Sequence, residues 1–581
     1  MAIAVLLNRM FRMEHNPLFE YIYQQKEDID ACYFIIPEED MSSASDLKAQ
    51  FYRGTLQRFY QSLHAEKLTP YVMSYDDIIS FCKENNISEV VIAGDIMSYH
   101  LEEYDILHQR SLFNEARIAV TLIRMAIAVL LNRMFRMEHN PLFEYIYQQK
   151  EDIDACYFII PEEDMSSASD LKAQFYRGTL QRFYQSLHAE KLTPYVMSYD
   201  DIISFCKENN ISEVVIAGDI MSYHLEEYDI LHQRSLFNEA RIAVTLIRGN
   251  HYFKASKTMN QQGEPYKVFT SFYKKWRPYL RHRDVYHYDL KSFEDFVIAS
   301  PDDLVFDDIA FGSSQIIEQN KWQHFLDQDI QNYESGRDYL PEVLTSQLSV
   351  ALAYGLLDII EIFNDLLARY DQDEANYEAF IRELIFREFY YVLMTQYPET
   401  SYQAFKPKYR QIKWSQNETD FNVWCEGQTG FPIIDAAIME LTQTGFMHNR
   451  MRMVVSQFLT KDLFIDWTWG EKFFRKHLID YDAASNIHGW QWSASTGTDA
   501  VPYFRMFNPI RQSERFDPKA LYIKTYLPIF NQIDAKYLHD TQRNESNLFE
   551  LGIELGRHYP RQMVDHQEKR TQVLATFKAL D

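Results

Sequence analysis

Five clusters of residues between positions 333 and 505 combine types and spacings that could do chemistry. Thr345 and Ser346 precede the apolar run Leu348–Leu357, a helix-start pattern in which hydroxyls and free backbone N–H groups can hold an anion. Gln347 and Ser349 flank that start, and a plain helix cap accounts for the same residues. Glu383, Phe386 and Arg387 fall at i, i+3 and i+4, so they share one helix face. The everyday reading of that spacing is an exposed Glu–Arg pair worth a few tenths of a kcal/mol. Asn449, Arg452 and Met453 repeat the pattern further on, where an Asn in a polar network and a core Met are the plain alternatives. Asp480 and Asp482 open like a calcium loop but lack its remaining ligands and its glycine. Asn486 follows four residues later, and Trp414, Trp467, Trp490 and Trp492 surround this stretch. Any single buried Trp is ordinarily packing.

Composition narrows what such residues can serve. The 581 residues exceed one compact core, so two or three domains are expected. No stretch approaches the roughly 20 apolar residues of a membrane span. The five cysteines show no CxxC and no metal-type spacing, which predicts a reduced, cytoplasmic, disulfide-free protein without a structural metal. A net charge of −26 argues against a protein that coats nucleic acid non-specifically, though not against a local basic groove.

The elements that must position these residues begin with a repeat. Residues 1–124 recur without one difference as residues 125–248. Each copy carries 11 Lys+Arg and 19 Asp+Glu, so much of the acidity lies outside 249–581. A period this long is not a solenoid repeat. In the second copy, Ile127–Leu131, Cys156–Ile160, Tyr195–Met197, Glu213–Ala217 and Ala243–Ile247 read as buried strands. Helix-spaced apolar residues fill Leu142–Gln149, Leu171–Glu190 and Ser198–Glu208 between them. That alternation predicts an α/β doubly wound parallel sheet, present twice, without the GxGxxG of a dinucleotide fingerprint. Residues 251–315 read as a connection with local helix over Val268–Leu280 and an acidic loop at Pro301–Asp308. From about Asn320 helical periodicity takes over, and all eight tryptophans lie beyond residue 248. The expected domains are 1–124, 125–250, a linker 251–315 and an all-α domain 316–581.

Four stretches carry a specific resemblance: Thr345–Ser349, Glu383–Tyr390, Gly445–Arg452, and Asp480–Asn486 running into Gly489–Asp499. In order and content they resemble the photolyase/cryptochrome family, and within it the class I enzymes acting on cyclobutane pyrimidine dimers. The resemblance spans roughly 125–581. It implies FAD, reduced in the active form, held by Tyr333, Thr345, Ser346, Gln347, Leu348, Ser349, Arg387, Asn449, Arg452, Asp480, Asp482 and Asn486. The family usually has Arg at position 347, so one phosphate contact is weakened here or comes from elsewhere. Asn486 would lie opposite flavin N5.

By the same resemblance, ultraviolet-damaged DNA is the partner, met by Arg337, Glu383, Phe386, Asn449, Arg450, Met453, Trp492 and Arg505. Asn449 and Met453 stand where enzymes for the (6-4) lesion carry histidines, which implies dimer specificity. Trp490, Trp467 and Trp414 match an electron relay from flavin to surface. Asn238-Glu239 match a pair used by folate-type antenna binders, yet folate, a deazaflavin, another flavin or no antenna all stay open. The rival is a cryptochrome-like blue-light sensor that binds FAD without repair. A monomer with no membrane association is expected.

Overall fold

In the computed structural model, residues 2–7, 17–26, 29–37, 46–93, 119–123, 125–150, 153–218, 236–237, 239–240, 242–247, 249–285, 287–301, 309–341 and 345–580 are described. The first copy folds as β1 (Ala2–Leu6), α1 (Pro17–Gln24), β2 (Ala31–Pro37), α2 (Asp46–Ala65), β3 (Tyr71–Met73), α3 (Tyr75–Glu84), β4 (Glu89–Ala93) and β5 (Ala119–Ile123). These strands make a parallel sheet in the order β3-β2-β1-β4-β5.

The second copy repeats it with β6 (Met125–Leu130), α4 (Pro141–Gln149), β7 (Ile153–Pro161), α5 (Asp170–Ala189), β8 (Tyr195–Met197), α6 (Tyr199–Glu208), β9 (Ile211–Ala217) and β10 (Ala243–Ile247). Its sheet order is β8-β7-β6-β9-β10. The central strand β6 is bordered on both sides, Ile127 opposite Cys156 on β7 and Glu213 on β9. Strands covered by helices on both faces need continuous apolar runs, and Ile127–Leu131 are wholly buried. Caps set the helix starts: Asn140 Oδ1 accepts from Leu142 N–H, with Pro141 at the first helical position. Ser169 and Ser198 cap α5 and α6 in the same way.

The linker does more than connect. Its Cys156–Val297 bridge extends one border of β7, with Cys156 N–H donating to Phe296 O and Ile298 N–H to Cys156 O, both at 2.8 Å. Helix α7 (Phe269–Trp276) buries Phe269 and Phe272 against the helical domain. The acidic loop expected at Pro301–Asp308 falls, after Pro301, outside the described residues.

The helical domain runs through α8 (Gln315–His324), α9 (Leu348–Ala353), α10 (Ile359–Ala368), α11 (Glu374–Gln396), α12 (Glu418–Cys425), α13 (Pro432–Thr444), α14 (Asn449–Gln457), α15 (Trp467–His477), α16 (Ala483–Ser493) and α17 (His566–Lys578), with the helices Pro509–Phe516, Leu521–Tyr526 and Glu545–Glu550 between the last two and short turns elsewhere. The second sheet docks on it through buried polar contacts. Phe135 N–H donates to Tyr354 O at 3.1 Å, and the fully buried Arg136 donates to Gly355 O at 2.8 Å. Gly355 sits at φ +61° with the Arg133 carbonyl where a Cβ would go, so only glycine fits that junction. Lys172 reaches Arg475 O at 2.6 Å from the other end of the interface. One apolar core is continuous across this sheet, the linker and the helical domain, whereas the first copy's two clusters contain first-copy residues alone. Among the described residues no helix is long and apolar enough to cross a membrane, and no His/Cys/Asp/Glu group could hold a metal.

Candidate functional site

Helices α9, α11, α14, α15 and α16 converge on a cavity of about 350 Å³. The family-like stretches line it together: Thr345–Ser349, Glu383, Arg387, Asn449, Arg452, Met453, Asp480, Asp482, Asn486 and Trp490, with Tyr333. Spacing put Glu383 with Arg387, and Asn449 with Arg452 and Met453, on two helix faces, the resemblance implied the rest, and the fold turns all of them toward one space.

Two carboxylates are held inside it by two guanidiniums. Arg452 Nη2 lies 2.9 and 2.8 Å from the two oxygens of the buried Asp480. Its Nε donates to Met447 O, so the arginine is fixed at two points. Arg387 Nε is 3.7 Å from Asp482, while its Nη1 donates to Asn250 O at 2.8 Å. Asp482 caps α16, accepting from Ser485 N–H at 2.8 Å. Burial would raise its pKa, but Arg387 and that N–H outweigh it and hold the carboxyl below its usual range.

Behind Arg387 stands a residue that sequence reasoning missed. Glu388 is fully buried and accepts from Tyr252 N–H at 3.0 Å and Phe253 N–H at 2.9 Å, beside His251 at 3.3 Å. Burial opposes its charge, but His251, Arg387 and the backbone donors keep its pKa low. It clamps the start of the linker to α11 and so sets Arg387. Its signals in the sequence were adjacency to Arg387 and its place inside the Glu383–Tyr390 stretch.

Asn486 Nδ2 donates to Glu471 Oε1 at 3.2 Å, and Tyr481 OH donates to the same oxygen at 2.8 Å. Burial pushes the Glu471 pKa up despite Arg475 and these donors. Trp490 is 2% exposed, and its Nε1 has no hydrogen-bond partner among the described residues. Gly470 on α15 makes room for that ring, because a Cβ there would overlap it.

Several expectations change. Helix α9 spans six residues rather than ten, and its cap position is Gln347 at φ +51° in the left-handed region. The Ser346 hydroxyl supplies the bond expected of a cap, accepting from Leu348 N–H at 3.2 Å. Glu383 is not paired with Arg387; it accepts from Arg337 Nη1 at 2.6 Å at the half-exposed rim. Phe386 does not line the cavity; it stacks on Phe269 of α7 with ring centres 3.4 Å apart. Trp492, Arg337, Arg450 and Arg505, for which the resemblance implies contact with DNA and not with the cofactor, stand outside the cavity lining. Arg450 is held bidentate by Asp338 at 3.1 and 2.5 Å, and Arg505 is exposed. Trp467 is buried at the start of α15, and Trp414 is half-buried against Phe464, 5.0 Å centre to centre. Asn238 lies outside the described residues.

The lining suits a large flat cofactor with polar edges. Leu352, Phe380, Leu384, Phe474, Leu478 and Trp490 form apolar walls, while hydroxyls, amides and the two ion pairs supply the polar points. The pattern described as "FAD binding domain of DNA photolyase" matches residues 380–579, and that of "DNA photolyase" matches residues 127–287. The fold and site therefore define a two-part flavoprotein, with an α/β domain docked on a helical FAD-binding domain. A deoxyribodipyrimidine photo-lyase of Vibrio cholerae is 31% identical over 451 residues, covering 74% of this chain and 94% of its own. That of Alkalihalophilus pseudofirmus is 37% identical over 342 residues, 56% of this chain and 70% of its own. The crystal structure of a bacterial class III photolyase from Agrobacterium tumefaciens superposes with a TM-score of 0.68 at 26% identity, covering 80% of this chain and 99% of that one. The chain belongs to the DNA photolyase family.

Proposed function

We propose that the chain repairs cyclobutane pyrimidine dimers in DNA under light, using FAD in the cavity between α9, α11, α14 and α16. The observation that carries this reading is the convergence of Arg387–Asp482, Arg452–Asp480, Asn486 and Asn449–Met453 on one cavity in a chain of this family. When bound and reduced, FAD supplies the light absorption and the electron that splits the dimer.

The residues have separable tasks. Thr345, Ser346 and Ser349 offer hydroxyls, and Arg387 and Arg452 offer positive charge, to the pyrophosphate and ring edges. The Asn486 NH2 group is committed to Glu471, which leaves its Oδ1 as an acceptor for a protonated flavin N5. Asn449 and Met453, one turn apart on α14, and Glu383 on α11 form the rim that meets the lesion. Photolyases flip the damaged base out of the stack, at a cost of a few kcal/mol that damage lowers. Arg337, Arg450 and Arg505 then meet backbone phosphates, and Phe386 and Trp492 are the rings offered to the lesion. In this division residues 125–250 form the antenna-type domain, 251–315 the linker and 316–581 the catalytic domain, with 1–124 an additional copy. An archaeal photolyase from Sulfolobus tokodaii, 25% identical with a TM-score of 0.60 over 78% of this chain and all of its own, holds two FAD molecules. That likeness supports a second chromophore site here, with a flavin among its candidate occupants.

Illumination of ultraviolet-damaged oligothymidine with the FAD-loaded protein tests the reading. Recovery of thymine absorbance under blue light, absent in the dark, is expected. Full FAD binding without recovery would assign the chain to sensing instead.

A further inference from the structure

Arg387 lines the cavity but is held from behind by His251, which does not. Arg387 Nη1 carries two N–H bonds and directs them to Asn250 O at 2.8 Å and to His251 Nδ1 at 3.2 Å. A guanidinium only donates, so the second bond exists only while Nδ1 is unprotonated. The same Nδ1 lies 3.3 Å from Glu388 Oε1, a wholly buried oxygen that accepts no hydrogen bond among the described residues. A carboxylate only accepts, so that contact becomes a hydrogen bond only when Nδ1 carries a proton. One nitrogen thus faces a donor and an acceptor and satisfies one of them at a time. The ring is stacked on the buried Tyr391, with centres 3.5 Å apart and planes at 12°, which holds its plane against α11. A half-turn about Cβ–Cγ would put a carbon in place of Nδ1 and lose both contacts.

We infer that His251 is a positioning residue for Arg387, and that the proton on its Nδ1 decides how far the Arg387 guanidinium is available to the cofactor. The inference rests on the reading of the cavity as an FAD site. Unprotonated, His251 draws Nη1 back toward the start of the linker. Protonated, it turns its N–H to Glu388 and sets a second positive charge behind Arg387. The guanidinium is then left to Asp482, 3.7 Å from its Nε, and to the cavity that both residues line.

The groups that face His251 are Arg387, Glu388 and Tyr391 from α11 and Asp482 at the start of α16. Burial first, and then Arg387, hold the His251 pKa below its usual 6.5, against the pull of Glu388 and Asp482. FAD carries a diphosphate, and an anion that engages Arg387 offsets the charge opposing the proton. Binding therefore raises the His251 pKa and takes up as much as one proton from solvent onto Nδ1. A pKa higher in the complex than in the free protein fixes the sign. The added affinity is complete below the free protein's pKa and is lost as pH rises through that of the complex. FAD binds more tightly at pH 6 than at pH 8.

The test measures the FAD Kd of the full chain by flavin fluorescence titration at pH 6 and pH 8, with two variants that separate the ring from its nitrogen. His251→Phe keeps the stack on Tyr391 and removes both the acceptor and the proton. His251→Asn gives up the stack but sets an amide oxygen near the place of Nδ1, where it accepts from Arg387 and cannot titrate. From pH 6 to pH 8 the unaltered chain should lose affinity by roughly threefold more than His251→Phe does. His251→Asn should bind within about twofold of the unaltered chain at pH 8 and share the weak pH dependence of His251→Phe. Equal pH dependence in the unaltered chain and in His251→Phe would overturn the proposal. So would the ranking that a purely structural ring gives, with His251→Phe like the unaltered chain at both pH values and His251→Asn weak at both. Failure of the flavin reading looks different: no FAD taken up at either pH by the unaltered chain.

Discussion

Replacing Gly470 with Ala should weaken FAD binding without unfolding the protein. The added methyl would overlap the edge of the Trp490 ring and lie 2.7 Å from Leu459 Cδ2. Behind Trp490 the space is taken by Trp424 and by Phe474, whose ring centre is 4.9 Å away, so the ring yields toward the cavity that it lines. Without cofactor that movement is cheap, and Ala gains about 1 kcal/mol over Gly within a helix. With cofactor bound the ring is forced back, and overpacking of this kind costs about 1–3 kcal/mol. The strain therefore appears in the binding equilibrium, as a Kd raised about 5- to 150-fold. Flavin fluorescence titration of the apoprotein measures Kd, and thermal melting of the apoprotein measures stability. An unchanged Kd accompanied by a lower apoprotein Tm would refute the argument, because it would place the strain in the fold and not in the cavity.

Glu383→Ala should lower dimer repair at least tenfold while flavin content falls little, since Glu383 sits at the rim and pairs with Arg337 rather than with cavity-floor groups; absorbance and repair assays on one preparation compare the two. The protein should leave (6-4) photoproducts untouched, as Asn449 and Met453 offer no proton donor of the histidine kind; comparable repair of both lesions would show that α14 is misread. Burial, then Asp365 and Asp358, push the Glu361 pKa up to about 7 from 4.5. The folded state therefore holds this proton more tightly, so the associated stability is present below pH 4.5 and is lost as pH rises through 7. Glu361→Gln should raise Tm at pH 8 and leave it nearly unchanged at pH 4.5, as melting curves at both pH values will show. Removing residues 1–124 leaves a chain starting at Met125 that should bind FAD and repair dimers at least as well, because the first copy's core clusters share no residue with the catalytic domain's core.

What could be read from the sequence follows from where information is local. The strands Tyr195–Met197 and Ala243–Ile247 and the helix over Tyr199–Glu208 were legible because period, caps and apolar runs lie within a few residues. The facing of Asn449, Arg452 and Met453 was legible for the same reason. Partnerships across the chain were not. Glu383 chose Arg337, 46 positions away, over Arg387, four away, because α11 turns Arg387 toward Asp482 and Glu388. Phe386 turned to Phe269 because the linker helix brought a second ring to that face. The short α9 reflects a left-handed Gln347 and a left-handed Gly355, neither of which periodicity reveals.

The recurrence of one 124-residue sequence in two settings makes this chain its own control. Cys156 and Cys32 have the same neighbours in sequence for more than thirty positions on one side and ninety on the other. Yet Cys156 is sealed beneath the linker's Phe296–Ile298, while Cys32, with no such cover among the described residues, is half-buried and burial pushes its thiol only to about 11. Phe158 is likewise fully covered where its twin Phe34 is not, and Tyr23 is 70% exposed where Tyr147 packs on Phe293. No difference in amino acids can explain such contrasts. They isolate what docking contributes to a fold from what composition contributes, within a single molecule and a single solvent.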